Sequence, residues 1–370
     1  MTTHYDAHPT QATAPDFAKP DFPLNVWYAA AWGHEVKRDL LARKICNRDL
    51  VFFRRTDGHA AAIADMCWHR LVPLSLGKLD GDSVVCGYHG LAFDAAGRCT
   101  SMPSQCTLNP AARVRSYPVV EKHRFIWVWM GDPALADPAL VPDMHWNDDP
   151  EWASDGELFH AQCNYKLIVD NLMDLTHETF VHGSSIGNMA VAETPFDTYH
   201  GPDFTEIVRW MMNIDPPPFW AAQYGKPGPV DRWQIIRFEA PATITIDVGV
   251  AKAGTGAERG DRSQGVNGYV LNTMTPETDG TTHYFWAFSR NYKIGDQNLT
   301  TSIRKGIAGV FGEDMVIFAA QQKAIDANPD KEFYNLNVDA GSVWARRQID
   351  AMIEKETTPQ NPAPVREAAE

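Results

Sequence analysis

The stretches Cys67-Trp68-His69-Arg70-Leu71 and Cys86-Gly87-Tyr88-His89-Gly90, with sixteen residues between His69 and Cys86, decide how this chain is read. Each offers one thiol and one imidazole, spaced C-x-H and C-x-x-H. Around them run short apolar segments broken by Gly, Asp and Asn: Leu50–Phe53, Ala61–Ala64, Val84–Cys86, Leu91–Phe93 and Arg124–Met130. Runs of that length bounded by turn formers predict antiparallel β-structure. Asp57-Gly58, Asp80-Gly81 and Ala96-Gly97 supply hairpin turns. The two Cys/His stretches therefore belong on loops of a small β-domain.

One thiolate and one imidazole from each of two loops fit a Rieske-type [2Fe-2S] cluster, in which two Cys bind one iron and two His the other. The expected ligands are Cys67, His69, Cys86 and His89. Gly87 and Gly90 allow backbone N–H groups to approach the bridging sulfides. A Cys2His2 zinc site uses the same side chains, but zinc fingers usually present the two Cys together and the two His together. Cys46, Cys99, Cys106 and Cys163 read as ordinary buried or partly buried cysteines. Six scattered cysteines do not form a disulfide framework in a chain of 370 residues, which fits a reducing compartment.

The length suffices for two domains. With 44% hydrophobic and 22% charged residues, the composition is that of an ordinary globular protein. A net charge of −14 without a basic run excludes a general nucleic-acid binder and suits docking to a more basic redox partner. Residues 1–20 lack the basic start and apolar core of a secretory signal, and no stretch approaches the roughly 18 apolar residues of a membrane span. A cytoplasmic protein with no membrane segment is expected. The division predicted is a flexible tail over 1–20, the β-domain over 21–135, a proline-marked linker over 136–150, a second domain over 151–355 and a second tail over 356–370. Helices are predicted over Asn164–His182, Ile303–Ala327 and Ala340–Glu354, and alternating strands over Ala242–Val250 and His283–Tyr292.

A second polar constellation lies in Asn171-Leu-Met-Asp174-Leu-Thr-His177-Glu-Thr-Phe-Val-His182. At about 100° per residue, Asn171, Asp174 and His177 share one third of a helix circumference, a polar stripe among Leu and Met. His182 stands five residues after His177, about 140° around a helix, so the i, i+4 pair of a zinc protease is absent. Both imidazoles reach one metal only if the helix ends or distorts between them. Two His and one carboxylate form the facial triad of non-haem Fe(II) oxygenases. Asp314, ahead of an apolar helical run, is a candidate third ligand; spacing alone leaves it open between that role and a terminal or surface acid. Its neighbour Glu313 reads as solvated.

The runs CWHR…CGYHG, DNLMDLTHETFVHGSSIG and PPPFW…PVDRWQIIRF together resemble the Rieske non-haem iron oxygenases, specifically the vanillate O-demethylase oxygenase branch. Dicamba O-demethylase and toluenesulfonate methyl-monooxygenase are more distant. The resemblance implies an α+β fold, an antiparallel β Rieske domain followed by a helix-grip-like catalytic domain with helices on one face of an antiparallel sheet. It implies mononuclear Fe(II) on His177, His182 and Asp314. Asp174 takes the place of an acid that bridges a Rieske His of one subunit to an iron-binding His of the next, giving a route from His89 through Asp174 to His177. Asn171 falls near the iron without being a normal ligand. O2 is the implied co-substrate, and electrons come from NADH through a flavin/[2Fe-2S] reductase. A homotrimeric assembly is likewise implied by the resemblance. The implied reaction is O-demethylation of a methoxylated aromatic acid such as vanillate to the phenol, protocatechuate, with release of formaldehyde. A sister reaction, hydroxylation of a methyl or ring carbon of another aromatic acid, uses the same metals, whereas a non-catalytic Rieske electron carrier lacks the mononuclear iron. Trp68 departs from the pattern, which usually has Pro between the first Cys and His. An apolar slot with one cation or donor is expected for the substrate. Trp210, Met211, Phe219, Trp220, His283, Phe285, Trp286 and Arg290 lie in the half of the chain that forms it.

Overall fold

The structure, a computed structural model, describes residues 22–358. The tail expected over 1–20 and most of the one over 356–370 lie outside the described residues. Glu356 and Thr357, assigned to that second tail, instead form the last turn of a helix. The Glu356 carboxylate accepts from the backbone N–H groups of Leu24 and Asn25 at 2.8 and 2.7 Å, which ties the two ends of the described chain together.

All three predicted turns join neighbouring antiparallel strands: Arg48–Arg54 to Ala60–Ala64, Lys78–Asp80 to Ser83–Val85, and Ala92–Phe93 to Cys99–Ser101. The first and second pairs belong to separate four-stranded sheets. A three-stranded sheet of Trp27–Trp32, Phe125–Trp129 and Val119–Lys122 joins them to the rest of the molecule. The hairpin at His123-Arg124 carries no sequence signal, since both residues adopt positive φ (54° and 65°) without being Gly or Asn.

Beyond it stands a seven-stranded, wholly antiparallel sheet in the order Ala153–Ala161, Thr281–Arg290, Gly265–Thr278, Thr243–Lys252, Val230–Glu239, Phe204–Ile214 and Asp197–His200. The chain lays down one edge strand and crosses to the opposite edge. It then meanders all the way back. The crossing segment carries α1 (Tyr165–Met173), α2 (Glu178–Val181) and α3 (Met189–Glu193). After α4 (Pro218–Tyr224) and the meander come α5 (Gln297–Asp326) and α6 (Ala340–Thr357). The helices that carry the candidate ligands lie outside the meander, α1 and α2 in the crossing segment before it and α5 after it.

Alternation along the strands gives the sheet two apolar faces. Tyr284, Trp286 and Phe288 pack among the helices, while Leu271, Phe285 and Ala287 pack on Trp27, Trp127 and Trp129 of the three-stranded sheet. Full burial of each such side chain stabilises the fold by about 1.5–3 kcal/mol. Residues 136–150 connect the two halves but not as a free tether. Val141, Met144 and Asn147 are buried, and Trp146 stacks on Tyr269 with ring centroids 3.9 Å apart.

Candidate functional site

The two Cys/His loops close in the same way. Cys67 N–H donates to Val72 O and Leu71 N–H to Cys67 O; Cys86 N–H donates to Leu91 O and Gly90 N–H to Cys86 O. The fourth residue after each Cys has positive φ, Gly90 at 74° and Leu71 at 61°. Matching turns set the thiols side by side and bring the His69 and His89 rings to 4.7 Å between centroids. Burial pushes the Cys67 thiol up, the His69 and Arg70 backbone N–H groups pull it down, and the neighbouring Cys86 pushes it up again. Burial makes the Cys67 thiol resist ionisation until a cation arrives, and N–H groups aimed at its sulfur favour the thiolate. The donor set, two sulfurs inside and two imidazoles at the rim, fits a [2Fe-2S] cluster. Trp68, between the first two ligands, is 41% exposed, whereas the thiols on either loop are buried.

The second set assembles from two connections over the sheet. The helix predicted over Asn164–His182 is in fact broken. α1 stops at Met173, Asp174 is extended (φ −132°, ψ 98°), a single 3-10 turn holds Leu175–His177, and α2 runs only from Glu178 to Val181. Asp174 caps that turn, its carboxylate accepting from Thr176 N–H at 2.9 Å and Thr176 Oγ1 at 2.7 Å. Competition from this side-chain cap is what ends the helix. The passage from the 3-10 turn at His177 into a four-residue α2 that ends at His182 (φ −113°, ψ 24°) lets both imidazoles face one point although they are five residues apart. Gly187 permits the return of the chain beneath them, since a Cβ there would stand 1.9 Å from the Glu178 carbonyl oxygen.

Asp314 comes from α5, where the buried positions Ile303, Ile307, Val310, Asp314 and Phe318 form one stripe. Its carboxylate lies 3.2 Å from His182 Nε2 and 3.9 Å from His177 Nε2. One ligand atom from each of the three lies within 4.8 Å of the others. Both outer nitrogens are held: His177 Nδ1 by the Asp174 backbone carbonyl at 2.6 Å, and His182 Nδ1 by Glu313 Oε2 at 2.6 Å. With Nδ1 anchored, Nε2 of each ring is directed at the shared point, the arrangement of metal-bound histidines. Burial pulls His182 down, but Asp314 and Glu313 outweigh it and hold the ring above its ordinary value. A site that draws a proton in this way fits a cation. Asn171 Nδ2 stands 3.5 Å from Asp314 Oδ1.

Glu313, read as solvated, is exposed as expected and in addition holds His182 Nδ1. Asp174 does not meet His177 through its carboxylate within one protomer, because the contact is its backbone carbonyl. Of the residues noted in the half of the chain that forms the pocket, Phe219 and Trp220 line an apolar slot that also includes Glu178, next to His177, and Phe311 of α5. Phe285 faces the three-stranded sheet, His283 bonds Lys44 O, and Arg290 serves the carbonyls of Tyr292, Lys293 and Asp296. The slot also contains Arg232, which sequence reasoning passed over. Strand alternation offered the signal, placing Arg232 and Gln234 on the face of Ile236 and Phe238.

Comparison with known proteins accords with this architecture. Residues 26–118 match the Rieske [2Fe-2S] domain, and residues 161–355 match the vanillate O-demethylase oxygenase C-terminal domain. A vanillate O-demethylase oxygenase subunit of Pseudomonas sp. is 43% identical over 340 residues, covering 90% of this chain and 96% of the relative. The oxygenase component of dicamba O-demethylase from Stenotrophomonas maltophilia is 35% identical, covering 90% of this chain and 99% of the relative. A crystal structure of dicamba monooxygenase bound to 3,6-dichlorosalicylic acid superposes with a TM-score of 0.85 at 34% identity, covering 91% of this chain and 99% of the other. Among the described residues no helix is long and apolar enough to cross a membrane. The Rieske domain, the second His/His/Asp set on a seven-stranded sheet and these full-length relatives lead to one conclusion: the chain belongs to the Rieske non-haem iron oxygenases, in the vanillate O-demethylase oxygenase branch.

Proposed function

We propose that this chain is the cytoplasmic terminal oxygenase that O-demethylates a methoxylated aromatic acid such as vanillate, giving protocatechuate and formaldehyde. Cys67, His69, Cys86 and His89 hold the [2Fe-2S] cluster, and His177, His182 and Asp314 hold the iron. The observation that carries the reading is the narrow apolar slot against the triad. Its wall includes Glu178, next to His177, and Phe311, one helical turn before Asp314. Its volume is about 60 Å3, with Ile307, Val310 and Phe311 of α5 forming one wall.

Bound iron supplies the activation of O2 that the side chains cannot. The residues keep that position dry and oriented. His182 and Asp314 are 1% and 4% exposed, and Glu313 and the Asp174 carbonyl fix the two rings. One oxygen atom enters a methyl C–H bond and the other leaves as water. The two electrons and two protons that take the second oxygen atom to water come from NADH and solvent, and the hemiacetal then collapses to phenol and formaldehyde with no further redox change. Those electrons arrive from a flavin/[2Fe-2S] reductase. The histidine rim of the cluster is bordered by exposed Trp68, Leu71, Leu76 and Tyr88, a surface suited to contact with another protein. In a homotrimer a neighbouring subunit covers this rim, and Asp174 links the two metals across the contact.

Turnover with a reductase and a panel of methoxybenzoates tests the reading. Formaldehyde in proportion to NADH consumed is expected with at least one of them. Failure on every methoxy compound, with hydroxylation of a methylbenzoate, overturns it in favour of the sister reaction.

A further inference from the structure

Arg232 lies on the strand Val230–Glu239, 2% exposed, and lines the slot against the triad. One of its nitrogens is accounted for, with Nη2 donating to Glu178 Oε2 at 3.0 Å. Glu178 is itself fully engaged, because Gln234 Nε2 donates to both its oxygens at 3.0 and 2.9 Å. Arg232 Nε and Nη1 are buried and have no partner among the described residues. Apart from Glu178, the other side chains that line the slot are apolar or aromatic, among them Phe219, Trp220, Val248, Phe288 and Phe311. Buried charged donors left unpaired are costly and native proteins rarely keep them. The exceptions are groups that await a ligand.

We propose that Arg232 is the anchor for the carboxylate of the aromatic acid, its unpaired Nη1 donating to the substrate anion while Glu178 and Gln234 hold the guanidinium in place. This rests on the O-demethylase reading and adds the residue that selects acids over neutral aromatics. An acid satisfies the orphaned donors within an apolar slot, where a charge-assisted hydrogen bond is strongest. A ring without the carboxylate leaves them unpaired. Glu178, one residue after His177, then couples the anchor to the turn that positions an iron ligand. Arg232 positions the substrate and takes no part in the chemistry at the methyl group.

The test is calorimetric binding to the holoenzyme of 4-hydroxy-3-methoxybenzoate, its amide and 2-methoxyphenol, in the wild type, Arg232→Gln and Arg232→Lys, alongside formaldehyde release. The wild type is expected to bind the acid about 10- to 100-fold more tightly than either neutral compound. In Arg232→Gln that preference collapses to within about threefold through weaker acid binding alone, and Arg232→Lys falls between. Equal wild-type affinity for acid and amide overturns the proposal without any variant, which covers the case in which Arg232→Gln does not fold. An unchanged preference in either folded variant overturns it as well. If the acid preference depends on Arg232 but no formaldehyde forms, the demethylase reading fails and the acid site stands. If formaldehyde forms and the preference ignores Arg232, only the anchor fails.

Discussion

The two ligand sets of this chain are built in opposite surroundings. His69 and His89 stand at the exposed tips of two matching turns, with their thiol partners buried behind them. His182 and Asp314 are enclosed between the crossing helices and the sheet. An electron inlet has to meet another protein, so its imidazole edge lies at the surface. A site that handles activated oxygen has to exclude water, so its ligands come from segments that cover the sheet. The same difference appears in how each set is held. Short backbone bonds within each loop shape the first, whereas the second depends on residues far apart in sequence, such as Glu313 on His182.

The sharpest way to separate the two regions is to remove a ligand from the enclosed one. Asp314→Ala is expected to abolish turnover while the visible absorption of the cluster stays unchanged, as read by spectroscopy and iron content. Loss of the cluster signal as well would mean that the regions do not fold independently of each other's metals. Asp174→Asn comes next. Both metals stay bound, while multiple-turnover kinetics slow by at least about 100-fold because the link between regions is misplaced. Full activity would remove Asp174 from the electron route.

Glu313→Ala acts only on the enclosed side. Without its acceptor the His182 ring is free to turn, and affinity for Fe(II) or Co(II) is expected to fall about 10- to 100-fold by metal titration with the cluster spectrum intact. The smallest effects lie in the exposed loops. Gly90→Ala places a Cβ at φ 74° and 3.1 Å from Pro103 Cγ, for a loss of about 1–2 kcal/mol in unfolding experiments. Leu71→Gly at the equivalent position relieves the same strain and is expected to be neutral or stabilising by up to about 1 kcal/mol. Equal responses at the two positions would show that the loops are not equivalent in the way their hydrogen bonds indicate.

The exposed region was the more legible in sequence, because local chemistry specifies it: ligand spacing, Asp-Gly turns and Gly90 all lie within a few residues of what they shape. Leu71 escaped notice, since nothing about a leucine announces left-handed backbone. In the enclosed region, two His and one acid were readable as a set, and the i+5 spacing already required a break before the second His. That break is the end of α2 at His182; a further one at Asp174, ahead of both histidines, was obscured because the apolar pattern of α1 continues through Leu175, although Asp174 followed by Thr176 is a capping pattern. Asp314 could be recognised as one polar member of the Ile303, Ile307, Val310, Phe318 stripe. Glu313 could not, because its partner is 131 residues away. Arg232 was visible as a charge on the inward phase of a strand, and its orphaned donors emerge only once Glu178 and Gln234 are in place.

The division into an exposed cluster and an enclosed iron is tested most directly by iron and acid-labile sulfide analysis of the purified protein and of Asp314→Ala. About three iron and two sulfide per subunit are expected in the wild type, with about two of each in the variant. Two iron in the wild type, or zinc at either site, would contradict it.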